Sequence, residues 1–98
     1  MATTQRVAVV TGAGSGIGRA CAQRLAVDGA TVAVLDVDEA GLEETVALIE
    51  GEGHRCLPVG VDLVDRDDLE RAFGVVRDRL GPVTVLHSNA GGAGGAPA

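Results

Sequence analysis

The sequence contains no lysine, no tyrosine and no tryptophan; all 8 of its basic side chains are arginine, and one phenylalanine is its only aromatic residue. Without lysine there is no Schiff base and no amine nucleophile, and without tyrosine no phenol to act as general acid. The chain's own catalytic repertoire is therefore thin, and no residue is assigned as catalytic. Cysteine is scarce as well. Cys21 and Cys56 have no metal-ligand spacing and sit inside apolar runs, which predicts buried small hydrophobes rather than a disulfide. His54 and His87 have no carboxylate or cysteine partner at ligand spacing, so no metal site is expected. No apolar run approaches the roughly 18 residues of a membrane span, and the polar stretch before the first apolar run is too short for a signal peptide. A cytoplasmic location is the expectation. The 8 basic residues face 14 acidic ones, for a net charge of −6, so nucleic acid and anionic membranes would be repelled and neither is expected as a partner.

What is present is apolar and finely punctuated. The 98 residues suit one domain or part of one, and 46% of them are hydrophobic, which excludes a disordered composition. With so few aromatics, the core must come from Val, Ala, Leu and Ile, a palette suited to helices packed closely on a sheet. Residues 6–11 carry a buried-strand run that stops at the cluster Gly12, Gly14, Gly16 and Gly18. Apolar residues then recur at helical spacing as Ile17, Cys21 and Leu25, up to Gly29. A second strand covers residues 31–35 and is closed by Asp36. Asp38 caps a second helix with the face Leu42, Val46 and Ile49. Residues 55–61 read as a third strand despite Pro58, which is tolerable at an edge. Asp65 caps a third helix with Leu69, Phe73, Val76 and Leu80 on one face, stopped by Gly81 and Pro82. Residues 83–88 form a fourth strand, and the Gly/Ala-rich residues 92–98 read as a flexible tail behind a domain of residues 1–91.

Strands alternating with helices demand a parallel sheet with crossover connections. Right-handed crossovers place the first two helices on one face and the third on the other, giving strand order 3-2-1-4. Ligands bind such α/β sheets at the switch between strands one and four. The glycine cluster lies there. It supplies a tight turn, close backbone approach and N–H groups at a helix N-terminus, which suit a pyrophosphate. Asp36 follows at about the 20-residue spacing expected of a ribose-binding carboxylate. Such a carboxylate accepts ribose hydroxyls, whereas a 2′-phosphate would meet like charge, so NAD is favoured over NADP.

Three motifs now converge. The run Thr11-Gly12-Ala13-Gly14-Ser15-Gly16-Ile17-Gly18 resembles the TGxxxGIG motif of the short-chain dehydrogenase/reductase family. Val61-Asp62-Leu63 resembles that family's Asp-plus-apolar pair after strand three, and Ser88-Asn89-Ala90-Gly91 resembles its NNAG motif. The resemblance implies a Rossmann-like, doubly wound parallel sheet, here an incomplete fold of four strands and three helices. It implies cofactor contacts from Gly12, Gly14, Ser15, Gly16, Ile17 and Gly18 to the phosphates and nicotinamide side. It further implies contacts from Asp36 to ribose, from Asp62 and Leu63 to adenine, and from Asn89, Ala90 and Gly91 to the cofactor ribose region. Ser88, Thr84 and His87 depart from the family pattern on strand four.

The family's proton-transferring Tyr, its Lys and its carbonyl-polarising Ser would lie beyond this chain. Its members run to about 250 residues, so the resemblance covers the cofactor half and leaves the catalytic half out. Three readings stay open: the N-terminal part of an NAD-dependent oxidoreductase moving hydride between nicotinamide and an alcohol or ketone, a catalytically silent nucleotide-binding module, and a subunit-association fragment. A flavin-binding or methyltransferase domain explains the second and third motifs less well. A fourth strand without a fifth would leave an open edge, which predicts self-association or pairing.

Overall fold

Runs of β-branched and small residues make the strands, and all of them point the same way. The structure, a computed structural model, describes residues 6–89. Its elements are β1 (Val7–Thr11), α1 (Gly16–Val27), β2 (Thr31–Asp36), α2 (Glu39–Gly51), β3 (Cys56–Gly60), α3 (Arg66–Leu80) and β4 (Val85–Ser88). The sheet is parallel with order β3-β2-β1-β4, as right-handed crossovers require. Every residue of β1 and all but the last of β2 are buried, because both strands are covered on both faces.

One core layer joins Ala8, Val10, Val32 and Val34 of the sheet to Ala22 and Ala26 of α1 and Leu42 and Ile49 of α2. The other joins Val7, Val9, Ala33, Leu35 and Val59 to Ala72 and Val76 of α3. The alternation within each strand thus sends successive side chains to opposite helices. Cys56 is buried and free, and Cys21 is half-buried and free. Burial, with the nearby Glu50 carboxylate adding to it, pushes the Cys56 thiol up to about 12.

The buried face of α1 differs from the expected Ile17, Cys21 and Leu25. It is the small-residue row Gly18, Ala22 and Ala26, one position further along. Ile17 is 70% exposed, and Cys21 and Leu25 pack on the flank of the core. The reason is distance: a helix that approaches the sheet this closely has room only for hydrogen and methyl at the contact line, so the larger side chains splay aside. On α3, likewise, Ala72 and Val76 lie at the contact while Leu69, Phe73 and Leu80 pack partly buried beside it.

Pro58 sits in β3, an outer strand, where a missing N–H is tolerated. The fourth strand is shorter than expected because Thr84 is diverted. Its hydroxyl oxygen accepts the Val7 N–H at 3.0 Å while its own N–H donates to the Val7 carbonyl at 2.9 Å, a local closure ahead of the regular pairing that begins at Ala8 and Val85. Gly81, with φ of 103°, ends α3 in a conformation that a side chain would strain. Among the described residues no helix is long and apolar enough to cross a membrane. The expected tail at residues 92–98 lies outside the described residues, as do Ala90 and Gly91.

Candidate functional site

In a parallel sheet every strand delivers its C-terminal end to the same edge. Here that edge carries the glycine loop after β1, Asp36 at the end of β2, Asp62 and Leu63 after β3, and Asn89 after β4. Topology therefore brings together residues separated by most of the chain.

The loop turns sharply at Gly12 and Gly16, whose φ angles of 66° and 59° lie in the left-handed region. Gly18 answers a different need. A Cβ there would stand 2.1 Å from the Gly12 carbonyl oxygen, so only hydrogen lets α1 close over the loop. The three helices then begin in different ways. Asp38 caps α2 by accepting the Gly41 N–H at 3.1 Å, and Asp65 caps α3 by accepting the Asp68 N–H at 3.2 Å. Both also carry acidic residues in the first turn. Ser15, at the start of α1, makes no side-chain cap, and no acidic residue lies in that first turn. The α1 terminus thus presents the N–H groups of Gly16, Ile17 and Gly18 without a built-in anion, at the positive end of the helix dipole.

Asp36 stands beside this loop. Its Oδ2 accepts the Gly14 N–H at 2.8 Å and its Oδ1 accepts the Asp38 N–H at 3.1 Å. Two backbone donors therefore fix the carboxylate, and each oxygen keeps a lone pair for a further hydroxyl. Ile17, exposed at the mouth, offers the apolar surface of the loop.

After β3, Asp62 makes a local turn: its Oδ1 accepts the Val64 N–H at 3.1 Å. Its own N–H donates to Asp68 Oδ2 at 2.7 Å. Asp68 also accepts from Arg71 Nε at 2.8 Å, and Arg71 reaches the Gly60 carbonyl at 3.0 Å. The Arg71 hydrogen bond holds the Asp68 carboxyl below the usual carboxylate range, helped by the Asp62 N–H. This staple fixes the turn that carries Asp62 and Leu63. Leu63 lines a groove of about 170 Å³ with Thr11, Val64, Leu69, Phe73, Leu86 and Ser88.

Across the switch point, the Asn89 N–H donates to Thr11 Oγ1 at 3.0 Å, and Asn89 Nδ2 lies 3.5 Å from the Gly12 carbonyl oxygen. The β1 and β4 ends are tied together there. Gly12, Gly14, Ser15, Gly16, Ile17, Gly18, Asp36 and Asn89 thus form one constellation, with Asp62 and Leu63 at the end of the neighbouring strand.

Sequence reasoning passed over two residues beneath the loop. Thr45 is fully buried in α2, and its hydroxyl donates to the Ala13 carbonyl at 2.7 Å while accepting from Arg19 Nε at 2.9 Å. Arg19 also bonds the Gly14 carbonyl, the Gly41 carbonyl and Glu44. A signal did exist: Thr45 is a polar residue on the apolar row Leu42, Thr45 and Ile49.

Comparison with known proteins gives the constellation a context. The family model described as short chain dehydrogenase matches residues 6–98. The chain is similar to 1-deoxy-11-beta-hydroxypentalenate dehydrogenase of Streptomyces arenae, 44% identical over 91 residues that cover 93% of this chain and 32% of that protein. It is 47% identical over 83 residues to (3R)-3-hydroxyacyl-CoA dehydrogenase of Canis lupus familiaris, covering 84% of this chain and 32% of the relative. A crystal structure of an actinorhodin polyketide ketoreductase variant with NADPH superimposes with a TM-score of 0.86 at 38% identity, over 89% of this chain and 33% of that one. The chain spans about a third of the length of the curated relatives it matches.

Proposed function

The chain belongs to the short-chain dehydrogenase family, and from that premise we propose that it binds NAD as the cofactor-holding part of an oxidoreductase. That enzyme would move a hydride between nicotinamide and an alcohol or ketone. One arrangement carries the reading: the α1 terminus lacks a cap and an acid of its own, and it stands beside a carboxylate already fixed by two backbone N–H groups. The first feature suits a pyrophosphate and the second a ribose diol.

In this reading the N–H groups of Gly16, Ile17 and Gly18 receive the pyrophosphate, and Gly12, Gly14 and Ser15 shape its cradle. Asp36 accepts the adenosine ribose hydroxyls. Asp62 and Leu63 flank the adenine, and Asn89, with Ala90 and Gly91, reaches the cofactor ribose region. NAD is favoured over NADP because a 2′-phosphate would meet the Asp36 carboxylate at close range, and Arg19 is committed beneath the loop to Thr45 and the Gly14 carbonyl. The structural relative was solved with NADPH, and the preference for NAD proposed for this chain rests on Asp36. When bound, the nicotinamide supplies or accepts the hydride. This sequence brings no tyrosine or lysine to the proton transfer, and its part is to bind and orient.

Isothermal titration of the folded chain with NAD and NADP tests the proposal. NAD should bind more tightly, and Asp36→Ala should narrow the gap by about tenfold or more. No binding of either dinucleotide to folded protein would end it. Association is a second proposal: β4 is an outer strand, and Leu86 on it, 56% exposed, lines one apolar groove with Val64, 94% exposed, which supports self-association or pairing on that side of the sheet.

A further inference from the structure

A dinucleotide loop works only if its N–H groups are aimed, and the peptide planes that carry them are set by the opposite carbonyls. In this chain the two peptide planes that lead into these, with the Ala13 and Gly14 carbonyls, are held from below by α2. Thr45 donates to the Ala13 carbonyl, and Arg19 donates to that of Gly14 while also bonding Thr45 and the Gly41 carbonyl. Gly41 permits the approach, since a Cβ there would stand 2.5 Å from the Gly14 carbonyl oxygen. Thr45 is fully buried, so its hydroxyl has no water to fall back on; its alternative acceptor is the Gly41 carbonyl one turn back at 3.1 Å, longer than the 2.7 Å contact to Ala13. The Arg19 side chain is 22% exposed and spans from the loop to α2, whereas its partner Glu44 is 71% exposed and adds little.

We propose that Thr45 and Arg19 are positioning residues for cofactor binding: a brace that fixes the Ala13 and Gly14 peptide planes so that the next N–H groups converge on the pyrophosphate. The inference rests on the NAD reading above but assigns roles to residues that touch no part of the cofactor. A buried hydroxyl on the hydrophobic row of α2 costs stability if its only purpose is packing, because valine would fill the same space without needing partners. Its contact with a loop carbonyl, 32 residues away in sequence, gives it a purpose.

The test uses the full chain and four proteins: wild type, Thr45→Val, Thr45→Ser and Arg19→Met. NAD affinity is read by calorimetry, and adenosine binding by amide shifts in heteronuclear NMR, since adenosine lacks the pyrophosphate. Thr45→Val and Arg19→Met should each weaken NAD by about tenfold and leave adenosine within about twofold. Thr45→Ser keeps the hydroxyl and should restore NAD binding. Unchanged NAD affinity in both Thr45→Val and Arg19→Met would overturn the brace, and so would equal losses for NAD and adenosine, which mark a general loss of structure. Should Thr45→Val fail to fold, Arg19→Met, at a partly exposed site, decides the matter. Hydrogen exchange separates this inference from the cofactor reading. The Ala13 and Gly14 amides, which donate to the Leu35 carbonyl and to Asp36, should exchange about fivefold faster in Thr45→Val and in Arg19→Met, with the Val9 and Val34 amides unchanged. If wild type binds no NAD, the cofactor proposal falls and exchange alone judges the brace: faster exchange upholds it and unchanged exchange overturns it.

Discussion

Replacing Gly18 and Gly74 by alanine should move stability in opposite directions, although both residues lie inside helices. Alanine in a helix interior is intrinsically better than glycine by up to about 1 kcal/mol. At Gly74 nothing lies within 4 Å of the added Cβ and φ is ordinary, so most of that gain should be kept. At Gly18 the added Cβ would meet the Gly12 carbonyl oxygen at 2.1 Å, the Gly12 carbonyl carbon at 2.8 Å and the Ala13 Cα at 3.1 Å. All three are backbone atoms of a tight turn, so no side chain can swing away. The start of α1 must retreat by about 1 Å, and a gap of that size forfeits a quarter to a half of the dispersion attraction along the Ala22 and Ala26 contact line. Overpacking of this kind costs roughly 1–3 kcal/mol, which exceeds the propensity gain. For a domain of this size each kcal/mol moves the midpoint by about 4–8 °C. Circular dichroism melts should therefore place Gly18→Ala roughly 5–20 °C below wild type and Gly74→Ala a few degrees above it. A Gly18→Ala protein that melts at or above wild type, with unchanged NAD affinity, would refute the close-approach reasoning.

Cys56 is raised from 9.0 to about 12 in the folded chain. The stability this contributes is complete below the unfolded thiol value and is lost as pH rises between the two, so urea midpoints should fall steeply in that window and Cys56→Ala should flatten the fall. At pH near 8 a thiol reagent should label Cys21 ahead of Cys56 in native protein and both equally in denaturant. Asp38→Ala removes the cap on Gly41 and should cost about 1 kcal/mol in denaturant titration. Light scattering on a size-exclusion column should show wild type above monomer mass and Leu86→Arg closer to it, and a monodisperse wild-type monomer would count against the open-edge proposal.

Element order and the strand sequence 3-2-1-4 were legible because they follow from punctuation and handedness alone. Asp38 and Asp65 announced two helix starts, and the structure shows both side chains capping. The buried face of α1 was not legible. Period alone selects the larger residues Ile17, Cys21 and Leu25, but the closeness of the sheet selects Gly18, Ala22 and Ala26, and closeness is a tertiary quantity. The true start of β4 depended on Thr84, whose hydroxyl and backbone N–H both meet Val7 from 77 residues away. Asp62 shows the limit from the other side: its oxygen makes the local turn that its sequence context allowed, while a role toward adenine depends on a ligand beside it.

The scarcity of large side chains connects these observations to the site. A core of Val and Ala lets α1 lie close to the sheet, and closeness requires the bare Gly18 contact that tightens the loop. A tight loop still needs its peptide planes held, because glycines at positive φ supply freedom as readily as shape. That constraint comes from the next helix: Gly41 lets α2 approach, Thr45 and Arg19 grip the Ala13 and Gly14 carbonyls, and Asp38, the cap of α2, shares its N–H with Asp36. The phosphate end and the ribose end of the proposed site are thus both anchored to α2. Changes along the buried row of that helix, Thr45 first, should therefore weaken NAD and NADP alike through the phosphate end and leave the choice between them to Asp36.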